Sequence, residues 1–322
     1  MDTRDACLVA DIGGTNARLA LVEPPQGPAG EPRILEHVVL RCSDFPALEG
    51  VLDAYLEKIA PQHPPRACLA VAGPVGGDVV RMTNRPWQFS ATALRDRFGF
   101  RQLEIINDVA ALAYGTAFAP RASLRIIKPG NESNRSARVT VAVGTGLGVA
   151  ALLPAGQGWK PVPGEGGHAG FAPVTALERE LHRRLGRELE HVSWEHLLSG
   201  AGLVRLHRLL AEIEGRASTT GREREIVELC RAGDAGALGT LAQFSTLLGG
   251  FAGDSVLVAN ARSGAYLGGG LLLALAPCID YPSLVDRFLL KGAKSEFIRE
   301  VPVYSLDSER WVLIGAAAWL DA

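Results

Sequence analysis

Two short apolar runs open the chain, residues 7–12 (CLVADI) and 18–23 (RLALVE), separated by Gly13-Gly14-Thr15-Asn16. Runs of that length around a glycine turn predict a β-hairpin over 7–23. Pro24, Pro25, Gly27, Pro28 and Gly30 predict a loop, and residues 34–42 a third strand. Over 44–60, Phe45, Leu48, Leu52, Tyr55, Leu56 and Ile59 recur at helical spacing, with Ser43 or Asp44 as cap. Residues 67–72 (ACLAVA) predict a buried strand closed by Gly73-Pro74. Ser90 is placed to cap a short helix ending at Phe98. Residues 103–106 (LEII) predict another strand, and Asn107-Asp108 then open an alanine-rich helix.

The second half restarts this pattern. Residues 139–143 (VTVAV) predict a strand, followed by Gly144-Thr145-Gly146-Leu147-Gly148 and a strand over 149–153. A strand, a glycine-rich turn and a second strand therefore occur twice, near residues 13 and 146, which predicts an internal duplication. Helices are expected over 175–186, 193–198, 201–214, 223–232 and 235–259. A strand over 265–268 precedes Gly268-Gly269-Gly270 and a helix start; a strand over 301–306 and a helix over 312–320 close the chain. Strands and helices mixed at this spacing predict α/β layers, with a boundary near Ala119-Pro120.

The 322 residues are 47% hydrophobic and 21% charged, an ordinary globular balance. The net charge of −2 and the lack of a long basic run give nucleic-acid binding no electrostatic footprint. The acidic start, with Asp2 and Asp5, does not fit a secretory signal. In the uncharged run 235–253 the large apolar residues Leu238, Leu241, Phe244, Leu247, Leu248 and Phe251 fall at steps of three and four, so a core helix is expected rather than a membrane span. Cys7, Cys42, Cys68, Cys230 and Cys278 are odd in number, widely spaced and free of any C-x-x-C pair, which predicts reduced thiols in a cytoplasmic protein.

The chemistry concentrates in the glycine turns. Successive backbone N–H groups in such a turn form a concavity for anions, and glycine lets the backbone approach a ligand. Ala10, Asp11, Ile12, Gly13, Gly14, Thr15, Asn16 and Arg18 are the first such group; Asp11 at a strand end suits a magnesium ion held through water. Gly144, Thr145 and Gly146 are the second. The second does not precede an evident helix and lacks the P-loop lysine, so both common nucleotide fingerprints fail there. A plain hairpin turn explains either alone; the pair suggests a clamp on a polyphosphate. Gly268, Gly269 and Gly270 equally suit a bound adenosine or a tight helix–strand contact. Asp108, just after a strand, suits either a helix cap or a reactive carboxylate.

The run VADIGGTNARLAL (9–21) resembles the first phosphate motif of bacterial glucokinases, members of the hexokinase, actin and Hsp70 superfamily. LEIINDVAA (103–111) is similar to that family's sugar-binding segment, and VGTGLGVA (143–150) to its second phosphate motif. PGEGGHAGFAP (163–173), HVSWEHLLSGAGL (191–203) and VPVY (301–304) also look like family counterparts, so the resemblance covers essentially the whole chain. It implies a two-domain, actin-like ATPase fold (ribonuclease-H-like) with mixed sheets and an interdomain cleft. The implied domains are 1–118, with a C-terminal helix over 308–322 returning to it, and 119–307. It implies ATP-dependent phosphorylation of glucose with Mg2+, and a homodimer with no nucleic-acid or membrane partner. Asp108 aligns with the general base; Asn107, Glu165, His168 and Glu195 with the residues holding the sugar hydroxyls. An asparagine among carboxylates is a sensible cage, because each hexose hydroxyl both donates and accepts. On this reading valine at Gly14 or Gly146 raises the KM for ATP strongly and leaves glucose binding without nucleotide intact.

Three departures stand out. Position 142 is Ala and 268 is Gly, where relatives often carry Gly and Ala, and residues 305–315 lack the Pro-Gly some relatives have before the last helix. After His168 the next cysteine is Cys230, so the zinc cluster of the repressor/kinase (ROK) family is absent despite Glu165-Gly166-Gly167-His168. A kinase for mannose or fructose, a non-catalytic sugar sensor and a filament-forming actin relative remain alternatives on sequence.

Overall fold

A computed structural model describes residues 6–23, 32–61, 63–83, 85–131, 135–217 and 220–321. The loop expected at Pro24, Pro25, Gly27, Pro28 and Gly30 lies outside them. The chain divides into two units: residues 1–121, 154–163 and 309–322, and residues 122–153 and 164–308.

The first unit opens with β1 (Cys7–Ile12), β2 (Asn16–Glu23) and β3 (Arg33–Arg41), then α1 (Leu48–Ile59) and β4 (Arg66–Val71). A short ribbon, β5 (Val79–Arg81) with β6 (Gln88–Ser90), leads to α2 (Ala91–Phe98), β7 (Gln102–Asn107) and α3 (Asp108–Gly115). The sheet order is β3-β2-β1-β4-β7, antiparallel through β1–β3 and parallel through β1, β4 and β7. Every residue of β1 is buried, as a strand covered on both faces requires.

The helix expected over 44–60 begins only at Leu48, and neither Ser43 nor Asp44 caps it; Ala47 stands there without a side-chain bond. Pro46 is the reason, since the residue before a proline is forced out of the helical region. Phe45 is extended at φ −127°, ψ 139°, and residues Cys42–Asp44 close their own 3-10 turn. Leu48, Val51, Leu52, Tyr55 and Ile59 then bury one face of α1, each stabilising the fold by about 1.5–3 kcal/mol relative to exposure. The Ser90 cap is present, its hydroxyl accepting from the Ala93 N–H.

The second unit contains β8 (Leu124–Lys128), β9 (Arg138–Val143) and most of β10 (Leu147–Ala155), while the end of β10 and nearly all of β11 (Gly158–Gly164) fall in the 154–163 segment of the first. There follow α4 (Ala176–Leu185), α5 (Gly200–Ile213), α6 (Glu223–Arg231), α7 (Ala235–Ala259), β12 (Ala265–Gly268), α8 (Gly270–Leu275), α9 (Tyr281–Leu289), α10 (Ser295–Glu300) and β13 (Val303–Leu306). The six-stranded sheet runs β11-β10-β9-β12-β13-β8. β9 and β10 form an antiparallel hairpin with β12 parallel beside β9. β1, β2 and β4 show the same arrangement, which is the duplication expected from the paired glycine turns. The sequence pattern misses β8 and β11, which are the two edges of this sheet. Pro161 and Pro163 argue against a strand, yet an edge strand tolerates proline because one row of its N–H groups needs no partner. It also misses α9 and α10; Asp280 caps α9 by accepting from the Ser283 N–H. The helix expected over 193–198 is a 3-10 turn, Trp194–His196.

α7 is long and apolar enough to cross a membrane by length and composition, but it packs as a core helix. Leu241, Phe244, Leu247, Leu248 and Phe251 are buried, and Gly249 lies against the Leu284 backbone of α9. The last helix, α11 (Arg310–Trp319), packs on α3 so closely that a Cβ at Gly315 would collide with the Ala111 carbonyl oxygen.

Candidate active site

In the first unit, parallel pairing places Ile12, Val71 and Asn107 in register across β1, β4 and β7. The Gly13–Asn16 turn and the Asn107-Asp108 pair therefore leave the sheet along one carboxyl edge, where ligands of open α/β sheets bind. The turn closes with the Gly13 N–H donating to the Asn16 oxygen at 3.0 Å. The Cys42 N–H donates to the Thr15 oxygen at 2.9 Å, the Cys42 thiol to the Gly13 oxygen at 3.5 Å, and Arg85 Nη1 to the Gly14 oxygen at 3.0 Å. Three backbone carbonyls of the turn are thus held by Cys42 and Arg85.

Asp11 is buried, with its Oδ2 accepting from Arg18 Nη1 at 3.2 Å. Arg18 also pairs with Glu309 at the start of α11. Burial pushes the Asp11 carboxyl up to about 6; the Arg18 guanidinium pulls against this and Glu309 adds a further push. Arg18 is therefore already matched by two carboxylates. Glu309 was not visible from motif spacing. It stands in the segment where the Pro-Gly of some relatives is missing, and its only sequence signal is an acid at a helix start. Arg85 and Cys42 carried no signal either.

At the other strand end, Asn107 is the α3 cap: its Oδ1 accepts from the Val109 and Ala110 N–H groups, both at 3.0 Å, and its Nδ2 donates to the Gly73 oxygen at 3.3 Å. The capping role open to Asp108 on sequence thus falls to its neighbour. Asp108 is the first residue of the helix, with Oδ1 2.9 Å from the Val109 N–H.

In the second unit, the Gly144–Gly146 turn closes with the Gly144 N–H donating to the Gly146 oxygen at 2.9 Å, and the Gly200 N–H at the start of α5 donates to the Gly144 oxygen at 3.0 Å. Gly268 leaves the sheet beside it, in register with Ala142. The two departures at 142 and 268 therefore face each other on adjacent strands, and the exchange keeps one methyl group at that rung. Gly269 has φ +100°, and a Cβ there would lie 2.7 Å from the Val143 nitrogen, so a tight helix–strand contact alone requires glycine.

Glu165 precedes a 3-10 turn, Gly166–His168, and His168 ends it; both side chains are exposed. A Cβ at Gly167 would strike the Leu147 carbonyl, which seats this turn on the start of β10. The Trp194 N–H donates to the Ala169 oxygen at 3.1 Å, and His191 Nε2 lies 2.9 Å from the His168 oxygen. Glu195 follows Trp194, and its Oε2 accepts from the Leu147 N–H at 2.8 Å. Glu165, His168, Glu195 and the second glycine turn are therefore gathered in one region of this unit.

A family model described as Glucokinase matches residues 8–322. A glucokinase of Saccharophagus degradans is 40% identical over 323 residues, covering 98% of each chain. Among solved structures, a glucokinase from an Antarctic psychrotroph superposes with a TM-score of 0.87 at 36% identity, over 98% of this chain and 99% of that one. A Balamuthia mandrillaris glucokinase in complex with glucose shares the fold, with a TM-score of 0.80 at 21% identity over 99% of this chain and 94% of that one.

Proposed function

The chain belongs to the glucokinase family, and from that premise we propose how its own residues carry out ATP-dependent phosphorylation of D-glucose at the 6-hydroxyl. The observation that carries the assignment of roles is the shared carboxyl edge of β1, β4 and β7. It presents a glycine turn suited to phosphate and, two strands away, the Asn107-Asp108 pair.

Asp108 accepts the proton of the attacking hydroxyl as the phosphoryl group arrives, which is worth roughly 10² to 10⁴ in rate. Asn107, whose Oδ1 is committed to the helix cap and one of whose Nδ2 hydrogens goes to the Gly73 oxygen, meets the sugar through its other amide N–H. Glu165, His168 and Glu195 bond the other hydroxyls. The Gly13–Asn16 and Gly144–Gly146 turns receive the phosphates through amides other than those of Gly13 and Gly144, which close the turns, and Gly268–Gly270 receive the adenosine. Transfer is in line, and positioning with charge neutralisation dominates.

Among the described residues no three His, Cys, Asp or Glu side chains gather as a cation cage. Asp11 offers a single buried carboxylate beside the first turn. One carboxylate fits a magnesium ion arriving on the nucleotide, because such an ion keeps most ligands as phosphate oxygens and water. Asp11 would hold it, through water, and the ion supplies neutralisation of phosphate charge. Arg18 serves chiefly to hold Asp11, since its own charge is already matched.

We place the enzyme in the cytoplasm as a homodimer; its five free cysteines suit a reducing compartment. The test is a coupled assay of ADP formation over glucose, mannose, fructose and 3-deoxyglucose. Glucose is expected to be preferred. The 3-deoxy sugar should lose at least tenfold in kcat/KM, because polar groups that the bound sugar covers would lose the hydroxyl they pair with. Equal kcat/KM for glucose and its 3-deoxy analogue would exclude a hydroxyl cage built from these side chains.

A further inference from the structure

The second glycine turn and a proposed sugar ligand share one hydrogen bond. Glu195 Oε2 accepts from the Leu147 N–H at 2.8 Å, immediately after Gly146. A Cβ added to Gly146 would lie 2.7 Å from that same Oε2 and 3.5 Å from the Glu195 carboxyl carbon, with no other atom within 4 Å. Gly146 does not have a left-handed backbone, so its lack of a side chain is a matter of space. The space is taken by the Glu195 carboxylate. Gly144, two residues earlier, has nothing within 4 Å of its Cβ position and is not left-handed either.

We propose that Glu195 is a positioning residue for the phosphate turn as well as a sugar ligand, so that one carboxylate couples the glucose and nucleotide sites. Its Oε2 fixes the Leu147 amide and its Oε1 remains for a sugar hydroxyl. Any ligand that moves the turn moves the carboxylate, and any sugar that orders the carboxylate orders the turn. Coupling of this kind is reciprocal. The inference rests on the reading of Glu195 as a sugar ligand. Under this proposal a side chain at Gly146 acts on glucose as well as on ATP, where the sequence led to the expectation of an effect on ATP alone.

Glucose binding without nucleotide, measured by calorimetry, is the test, beside a thermal melt of each variant. Gly146→Ala adds a methyl group that only the mobile end of Glu195 must avoid, so the fold should survive. Its glucose Kd should rise about tenfold or more, the scale of a lost hydrogen bond to a charged group. Gly144→Ala alters the same turn without touching Glu195 and should leave glucose Kd within about twofold, below that scale. Glu195→Ala should weaken glucose at least as much, and Gly146→Ala added to it should cost nothing further, because contacting residues are not additive. Glu195→Ala should also raise the Kd of a non-hydrolysable ATP analogue without glucose. Glu195→Gln should restore that Kd, since its side-chain carbonyl still accepts from the Leu147 amide.

If Glu195→Ala weakens glucose while Gly146→Ala does not, the coupling is wrong and the sugar-ligand reading stands. If Glu195→Ala leaves glucose Kd unchanged, the sugar-ligand reading itself fails. Equal losses in Gly144→Ala and Gly146→Ala, or additive losses in the double variant, would mean that general loop damage is the cause and would overturn the proposal.

Discussion

Replacing Asp108 by Asn separates the two roles a carboxylate at a helix start can play. The cap of α3 is Asn107, through two hydrogen bonds of 3.0 Å, so the substitution leaves the cap intact. What the fold loses is a negative charge in the first turn of α3, worth about 0.3–1 kcal/mol. For a unit of this size that lowers Tm by no more than about 2–4 °C. What the reaction loses is its base. A factor of roughly 10² to 10⁴ corresponds to about 2.7–5.4 kcal/mol of barrier at 1.36 kcal/mol per tenfold. The catalytic effect therefore exceeds the structural one several-fold, and the two are read by different instruments. Steady-state kinetics at saturating glucose and ATP should show kcat reduced at least a hundredfold, with the KM for ATP changed little because other residues receive the phosphates. Asn107→Ala gives the converse stability result: loss of the cap should cost about 0.5–2 kcal/mol by urea denaturation. An Asp108→Asn enzyme that melts normally and keeps kcat within about threefold of the parent, far below the general-base range, would refute the assignment.

Removing Arg18 should destabilise the first unit. Arg18→Ala leaves buried Asp11 and nearby Glu309 without their shared cation, and a loss of about 1.5–3 kcal/mol in urea is expected; a change below about 0.5 kcal/mol, the ordinary surface range, would contradict it. His207 is buried against Thr240 Oγ1 at 2.8 Å, and burial depresses its pKa below the ordinary 6.5. The folded state holds this ring neutral while the unfolded chain protonates, so its contribution is full above pH 6.5 and is lost as pH falls below that value. Unfolding free energies at pH 7.5 and pH 5.5 should therefore converge in His207→Gln more than in the parent, with a residual slope from His196, which burial depresses in the same direction; parallel profiles would count against it. Burial raises the thiols of Cys7 to about 11 and Cys230 to about 12 and lifts Cys42 and Cys68 as well, while Cys278 is partly exposed. A disulfide reagent at pH 8 should modify Cys278 first, because it is partly exposed while the other four are buried, and those four only in denaturant; rapid reaction of several thiols in the folded protein would exclude this packing.

Local pattern was enough for most elements because their signals are short-range. The 7–12 and 18–23 runs around Gly-Gly-Thr-Asn could hardly be anything but a hairpin, and the 235–259 helix appears with the bounds its periodicity predicts. The motif residues were legible too, since a glycine turn or an acid after a strand is written in adjacent letters. Where the pattern failed, a neighbour had intervened: Pro46 delayed α1, and the edge position of β11 excused its prolines. Contacts between distant segments were decided by the tertiary structure alone. Pairing of Ala142 with Gly268 turned two apparent departures into one exchange, and α11 brought Glu309 to Arg18 across almost the whole chain. The Leu147 amide lies 48 residues from the carboxylate that holds it. Periodicity has no reach over such separations, because only the folded sheet and its packed helices bring those atoms within hydrogen-bonding distance.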